Sequence, residues 1–253
     1  VYEGAPTTVT ALMAAGVKAA AFGALLRVFG QGLPSLAAQW KPLLAVLAIV
    51  SMVGGNLGAL AQGNIKRMLA WSSVAHAGYL LTALVAAPEV ATEAVLFYLV
   101  AYAPLNLGAF GAFAALARDG HEPLSLSDMA GLADRRPALA AALTVFLISL
   151  TGVPISAGFV GKFYLFKAAV SAGPVGVALA VVGGLMSAVS AYYYLRVVVA
   201  MYMRDPLSDD NWGKVAPASA LALAFSVAVV LALGVYPAPV LELARRAARS
   251  LLL

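Results

Sequence analysis

The stretch TGVPISAGFVGKFYLF (Thr151–Phe166) lies inside an apolar run from Ala138 to Ala172 that otherwise has the makings of a membrane span. Within it stand Gly152, Pro154, Gly158 and, four residues later, Lys162. Proline removes a backbone hydrogen bond and clashes with the preceding turn, and the flanking glycines weaken the helix further. The pattern predicts two half-helices that meet near the middle of the membrane, with the break between Gly152 and Gly158. Carbonyls and amides freed at that depth are tolerated only when buried in protein or facing water, and broken helices at the midplane recur as ion sites in transporters. Lys162 then stands just beyond the break, within reach of its exposed dipoles.

The rest of the chain supports a membrane reading. Of 253 residues, 63% are hydrophobic and 11% charged, too few charges to cover a water-soluble surface. Mean hydropathy is +0.93, and several apolar runs exceed the roughly 20 residues that a spanning helix needs. The expected fold is an all-α polytopic transmembrane bundle of about seven spans. They run at about 6–29, 42–62, 65–87, 90–117, 138–172 (broken), 174–203 and 215–235. The tail PAPVLELARRAARSLLL alternates Arg245, Arg246 and Arg249 with apolar residues and is expected to lie on the membrane surface. With no cysteine, disulfides, thiolate metal sites and iron–sulfur clusters are excluded. The histidines are His76 and His121, the latter in a loop, so no metal-, haem- or flavin-binding site is expected. The net charge of +5 is modest and sits mainly in loops, which fits membrane orientation and not nucleic-acid binding. One side carries Lys66, Arg67, Arg118, Arg135, Arg136, Arg204 and Lys214, the other Arg27, Lys41, Arg245, Arg246 and Arg249. The excess predicts that the first side is cytoplasmic.

Two charges fall near the middle of spans, Lys18 and Lys162. A lysine at that depth costs about 2.5–3.5 kcal/mol on insertion scales and marks a functional group facing other helices or water. Burial disfavours the ammonium form while dipoles and water restore it, so a buried lysine can load and release a proton, which arginine cannot. Other polar groups share helical faces. Ser72, His76 and Tyr79 fall at i, i+4 and i+7, with Ser73 beside them, and Tyr98, Tyr102 and Asn106 at i, i+4 and i+8. Either face suits a proton or water path. A single intramembrane histidine equally suits an interhelical hydrogen bond, and tyrosines also fill cores. Lys66, at the cytoplasmic end of the third span, suits proton entry and ordinary positive-inside anchoring alike. Lys167, Arg27 and Arg196 lie nearer the membrane ends and are explained by snorkelling. The small-residue strings GGNLGAL, GAFGAFAAL and VVGGLMSAVSA permit close helix packing.

The segments VYEGAP (Val1–Pro6), GVKAAAFGALLRVF (Gly16–Phe29), NIKRMLAWSSVAHAGYLL (Asn64–Leu81), GVPISAGFVGKFYLF and YYYLRV (Tyr192–Val197) resemble the antiporter-like membrane subunits of respiratory NADH–quinone oxidoreductase, complex I. These are homologous to the large subunits of Mrp-type cation/proton antiporters. Tyr98, Tyr102 and Asn106 replace the two histidines and lysine expected in one sister branch. The resemblance implies fourteen helices with two inverted five-helix repeats, of which this chain holds the second half. Residues 1–30 would be the eighth helix, 40–205 the second repeat with its broken helix at 152–158, and 214–253 the last span and an interfacial tail. Lys18 would match the bridging lysine of the eighth helix and Lys162 the lysine of the broken twelfth. His76, Ser72 and Ser73 would line the link. The implied function is proton translocation in the bacterial plasma membrane, driven by quinone reduction elsewhere. Partners would be the bilayer and other membrane subunits, including neighbouring antiporter-like ones, with no nucleic acid. NADH, flavin, iron–sulfur clusters and quinone would reside in other subunits. The competing readings are an Mrp-type antiporter subunit and a structural scaffold bundle.

Overall fold

The computed structural model describes residues 2–117, 122, 124–206 and 215–252; His121, with much of its loop, lies outside them. The described residues are helical apart from connecting turns and one isolated bridge between Asn64 and Ser125. A first rod runs unbroken over Thr7–Gly32. It comprises α1 (Thr7–Leu12), a π-helical turn at Met13–Val17, α2 (Lys18–Arg27) and a second π-helical turn at Val28–Gly32. There follow α3 (Ala37–Leu60), α4 (Ile65–Ala83), α5 (Pro88–Ala114) and the short α6 (Leu132–Arg135). Next come α7 (Pro137–Thr151), α8 (Ala157–Val170), α9 (Pro174–Met203), α10 (Pro217–Val235) and α11 (Ala238–Leu252).

The rod, α3, α5, α9 and α10 are each long and apolar enough to cross a membrane. α4, at 19 residues, is also long enough, but Lys66, Arg67, His76 and two serines lower its hydropathy. α7 and α8 supply half a passage each, at 15 and 14 residues. With α4 taken as one passage and α7 with α8 as another, the five apolar spans come to about the expected seven. Helix starts are marked as the sequence suggests. Pro88, Pro137, Pro174 and Pro217 each begin a helix, where a missing N–H costs nothing. Asn64 caps α4 by accepting from the Arg67 amide at 3.0 Å.

α5 is the hub, packed by α1, α7, α8, α10 and α11, and Phe97, Ala101, Phe110 and Ala112 on it are fully buried. The tail forms the expected amphipathic helix. Leu241, Ala244 and Ala248 on α11 are buried, while Arg245 meets Glu93 at 3.2 Å and Arg249 meets Glu89 at 3.6 Å near the start of α5. Such exposed pairs stabilise little; the apolar stripe holds the helix. Outward-facing Leu43, Val46 and Val50 on α3 and Leu221 and Phe225 on α10 are exposed, as hydrocarbon or a partner helix permits.

The predicted break is real but narrower than the bounding glycines suggest. α7 ends with Gly152 in the left-handed region at φ +95°, Ile155 follows at φ +73°, and α8 starts at Ala157. Gly158 therefore belongs to α8, not to the gap. Its lack of a side chain serves packing: a Cβ there would lie 1.8 Å from the Ser149 carbonyl oxygen.

Candidate functional site

The break explains the seat of Lys162. In a continuous helix the Leu150 carbonyl would accept from residue 154, which is proline and has no N–H. The Thr151 carbonyl would accept from Ile155, whose backbone has left the helix. Lys162 Nζ takes both places, donating to Leu150 O at 3.0 Å and Thr151 O at 2.9 Å. The C-terminal end of α7 carries negative partial charge, so the ammonium sits where a helix dipole favours it. The two halves are locked together as well. The Gly158 amide donates to Ser149 Oγ at 3.1 Å, and Ser156 caps α8, accepting from the Phe159 amide at 3.4 Å. The third neighbour of Lys162 is the face of the Tyr79 ring, 4.7 Å from Nζ. Lys162 is buried, with 4% of its surface exposed.

Lys18 follows directly on a π-helical turn, a feature that re-aims side chains and recurs at functional sites. Its Nζ donates to the Ser73 carbonyl and to Ser73 Oγ, both at 2.6 Å, and to the Tyr102 hydroxyl at 3.1 Å. It also lies 4.5 Å from the Tyr102 ring centroid. Its remaining exposure faces an open groove of about 440 Å³ lined by Tyr2, Trp71, Ser73 and Val74 among others.

Between the lysines lies a buried polar core. Tyr102 stacks on Tyr98 with ring centroids 5.8 Å apart. The Tyr98 hydroxyl and His76 Nδ1 share a short hydrogen bond, and His76 Nε2 lies 3.3 Å from the Tyr194 hydroxyl. Tyr194 pairs with Ser72 at 2.5 Å. The His76 ring meets Tyr79 edge-on at 5.4 Å, and Tyr79 presents its face to Lys162. Asn106, one turn beyond Tyr102, is buried on the same face. Thus Lys18, Ser72, Ser73, His76, Tyr79, Tyr98, Tyr102 and Lys162, all singled out from sequence, converge in one cluster. Neutral groups partner both ammonium ions: hydroxyls, carbonyls and ring faces. Hydroxyl and imidazole groups both donate and accept, but their bonds form two sets, Lys18 with Ser73 and Tyr102, and Tyr98 with His76, Tyr194 and Ser72, joined by the stacking of Tyr102 on Tyr98. Between Tyr79 and Lys162 the contact is a ring face, and a proton crossing there needs a water or a swing of the lysine.

Lys66 stands apart, about 15 Å along α4 from His76 at 1.5 Å per residue. It is buried near the loop between α5 and α6, donating to Ala5 O at 2.6 Å and to Glu122 at 3.0 Å. The other Glu122 oxygen accepts from the Thr7 amide at 3.1 Å. One carboxylate thus ties the start of the first rod to α4. Burial raises the Glu122 carboxyl, but hydrogen bonds from Thr7 and Lys66 and the Lys66 charge lower it by more, leaving it below its ordinary value. Sequence reasoning missed Glu122, Tyr193, Tyr194 and Asn56. The tyrosines stood in YYYLRV and the asparagine in GGNLGAL, but nothing local tells which face of a span looks inward.

Comparison with known proteins places the chain in a family. Residues 1–187 match the family described as NADH:quinone oxidoreductase/Mrp antiporter, TM. The chain is 47% identical over 249 residues to NADH-quinone oxidoreductase subunit N of Trichlorobacter lovleyi, covering 98% of this chain and 51% of that relative. It superposes on a chain of respiratory complex I from Thermus thermophilus with a TM-score of 0.82 at 39% identity, covering 96% of this chain and 52% of that one. A chain of the Mrp complex from Dietzia sp. shares the fold, with a TM-score of 0.87 at 23% identity over 99% of this chain and 54% of that one. The chain spans about half the length of the relatives it matches.

Proposed function

The chain belongs to the NADH:quinone oxidoreductase/Mrp antiporter transmembrane family, and from that premise we propose that it works within the subunit N branch, as the second half of a proton-translocating subunit of NADH–quinone oxidoreductase. Residues 1–30 act as the bridging helix, 40–205 as the second repeat, and 214–253 as the closing span and interfacial tail. The open groove beside Lys18 faces the preceding repeat. Quinone reduction by other subunits, which hold the flavin, iron–sulfur clusters and quinone, drives charge toward Lys18. NADH is oxidised there, and this chain contributes proton transfer alone. Neighbouring antiporter-like subunits in the bacterial plasma membrane receive or supply the charge at either end.

The observation that carries this reading is a pair of lysines, Lys162 buried and Lys18 partly buried, held by neutral dipoles at opposite ends of one tyrosine–histidine–serine core. A positive charge without a carboxylate counterpart is held weakly enough to be surrendered. Lys18 takes a proton and presents it to Ser73 and Tyr102; His76, bonded to Tyr98 and close to Tyr194, relays it; Lys162 delivers it from the broken helix. A scaffold bundle has no use for two lysines at that depth.

The test is proton transport normalised to electron transfer in reconstituted complex. Lys18→Ala and Lys162→Ala should each cut it about tenfold or more while assembly and quinone reduction persist. Normal transport in both variants would sink the reading. Purification of the subunit in an assembly without a redox arm would assign it to antiport instead.

A further inference from the structure

We propose that Asn56, on α3, is a positioning residue for Lys162 that acts through Tyr79. It rests on the proton-transfer reading of Lys162 given above. Asn56 is wholly buried and its amide is spent on three partners. Nδ2 donates to Met52 O at 2.7 Å and to the Tyr79 hydroxyl at 3.2 Å, while Oδ1 accepts from the Tyr193 hydroxyl at 3.1 Å. One side chain therefore ties α4 to α9 through α3.

The tie is made possible by glycine. A Cβ on Gly55 would lie 2.4 Å from the Ala75 amide nitrogen, and one on Gly78 would lie 2.7 Å from the Met52 amide nitrogen. α3 and α4 thus touch backbone to backbone in the turn just before Asn56, at Met52 and Gly55. At that distance an asparagine, with its short side chain, reaches a tyrosine hydroxyl on the neighbouring helix. The small residues of GGNLGAL serve more than packing: they bring a polar group to the core.

What Asn56 fixes is the direction of the Tyr79 ring. Its hydroxyl is held by the asparagine, and the ring packs at right angles against His76 at 5.4 Å and Phe166 at 6.0 Å. That leaves the ring face directed at Lys162 Nζ, 4.7 Å off, where the π cloud attracts the ammonium. The other contacts of Nζ are the Leu150 and Thr151 carbonyls, so Tyr79 forms the wall of the site opposite the helix break. Released from Asn56, the ring keeps its packing against His76 and Phe166 but loses the bond that sets its tilt, and its face is no longer held toward the ammonium. The Tyr79–Asn56 bond needs only Asn56; Tyr193 secures the far side of the amide.

The test uses the complete subunit in assembled, reconstituted complex. Proton transport per electron is measured for Asn56→Leu, Tyr79→Phe, the double variant, Tyr193→Phe and Lys162→Ala, with assembly checked by native gel. Infrared spectra of ring-labelled tyrosine report the Tyr79 hydroxyl, whose band is identified by its loss in Tyr79→Phe. Asn56→Leu and Tyr79→Phe should each lower transport about fivefold, as expected for one lost hydrogen bond. The double variant should be no worse than either single one, because both cut the same bond. The Tyr79 band should shift in Asn56→Leu, and Tyr193→Phe should have the smaller effect. Additive losses, an unmoved Tyr79 band or near-normal transport in Asn56→Leu would overturn the proposal. If Lys162→Ala is defective while Asn56→Leu is normal, only this inference fails; if Lys162→Ala is itself normal, the proton-transfer reading fails with it.

Discussion

The junction of the two half-helices offers the sharpest test of how Lys162 is held, through Gly158→Ala. The added methyl carbon would lie 1.8 Å from the Ser149 carbonyl oxygen and 2.7 Å from its carbon. Both are backbone atoms of a packed helix end, so no side-chain rotation relieves the clash. α8 must move away from α7 by about 1.2 Å before the contact reaches even 3.0 Å, an overpacking strain of about 1–3 kcal/mol. The same movement stretches the Gly158 amide bond to Ser149 Oγ, now 3.1 Å, and the bonds from Lys162 to Leu150 and Thr151, now 3.0 and 2.9 Å. The ammonium bonds are charge-assisted, worth roughly 1.5–3 kcal/mol each. Losing the benefit of one corresponds to at least about tenfold in the population of properly seated lysine. The expectation is a tenfold or greater fall in proton transport per electron, with quinone reduction retained in assembled complex. Gly54→Ala is the control, since a Cβ there meets nothing within 4 Å, and it should be silent. Normal transport in Gly158→Ala would mean that the seat at the break does not govern Lys162, and the dipole argument would fall.

Lys162→Arg should fail about as badly as alanine, because guanidinium keeps its charge; near-normal pumping in it would show that Lys162 does not release a proton during turnover. The Glu122 latch should confer acid sensitivity. A carboxyl whose folded value is depressed contributes stability that is full above the ordinary glutamate range, about 4.3, and is lost as pH falls through the lowered value. Because Glu122 is partly exposed, the contribution is up to about 1 kcal/mol, and Glu122→Gln should remove that acid dependence, read as melting temperature against pH; an unchanged acid limb would show that the latch carries no linkage. Ser127 is exposed on the loop side, so a cysteine placed there should label from the cytoplasm alone, and labelling only from outside intact cells would invert the orientation.

The spans, the break and both deep lysines were written in the sequence because each is a local property. Twenty apolar residues in a row must cross the hydrocarbon as helix. A proline flanked by glycines interrupts hydrogen bonds to residues only four positions away, and a charge at mid-span declares itself by its cost. Even the faces bearing His76 and Tyr98 follow from the turn angle within one helix. Inter-helix partners do not follow from such local properties. In a membrane, apolarity does not mark which side of a helix looks inward, since lipid and core are equally greasy. Tyr193 and Tyr194 therefore read as part of a long span, yet one reaches Asn56 and the other His76 from 137 and 118 residues away. Lys66 read as an anchor or an entry point, and became half of an ion pair when Glu122 came to it across 56 residues. Asn56 read as packing sequence because glycines surround it; the backbone contact those glycines allow is what delivers its amide to Tyr79. Only the assembled bundle decides such pairings, because they depend on distances between helices.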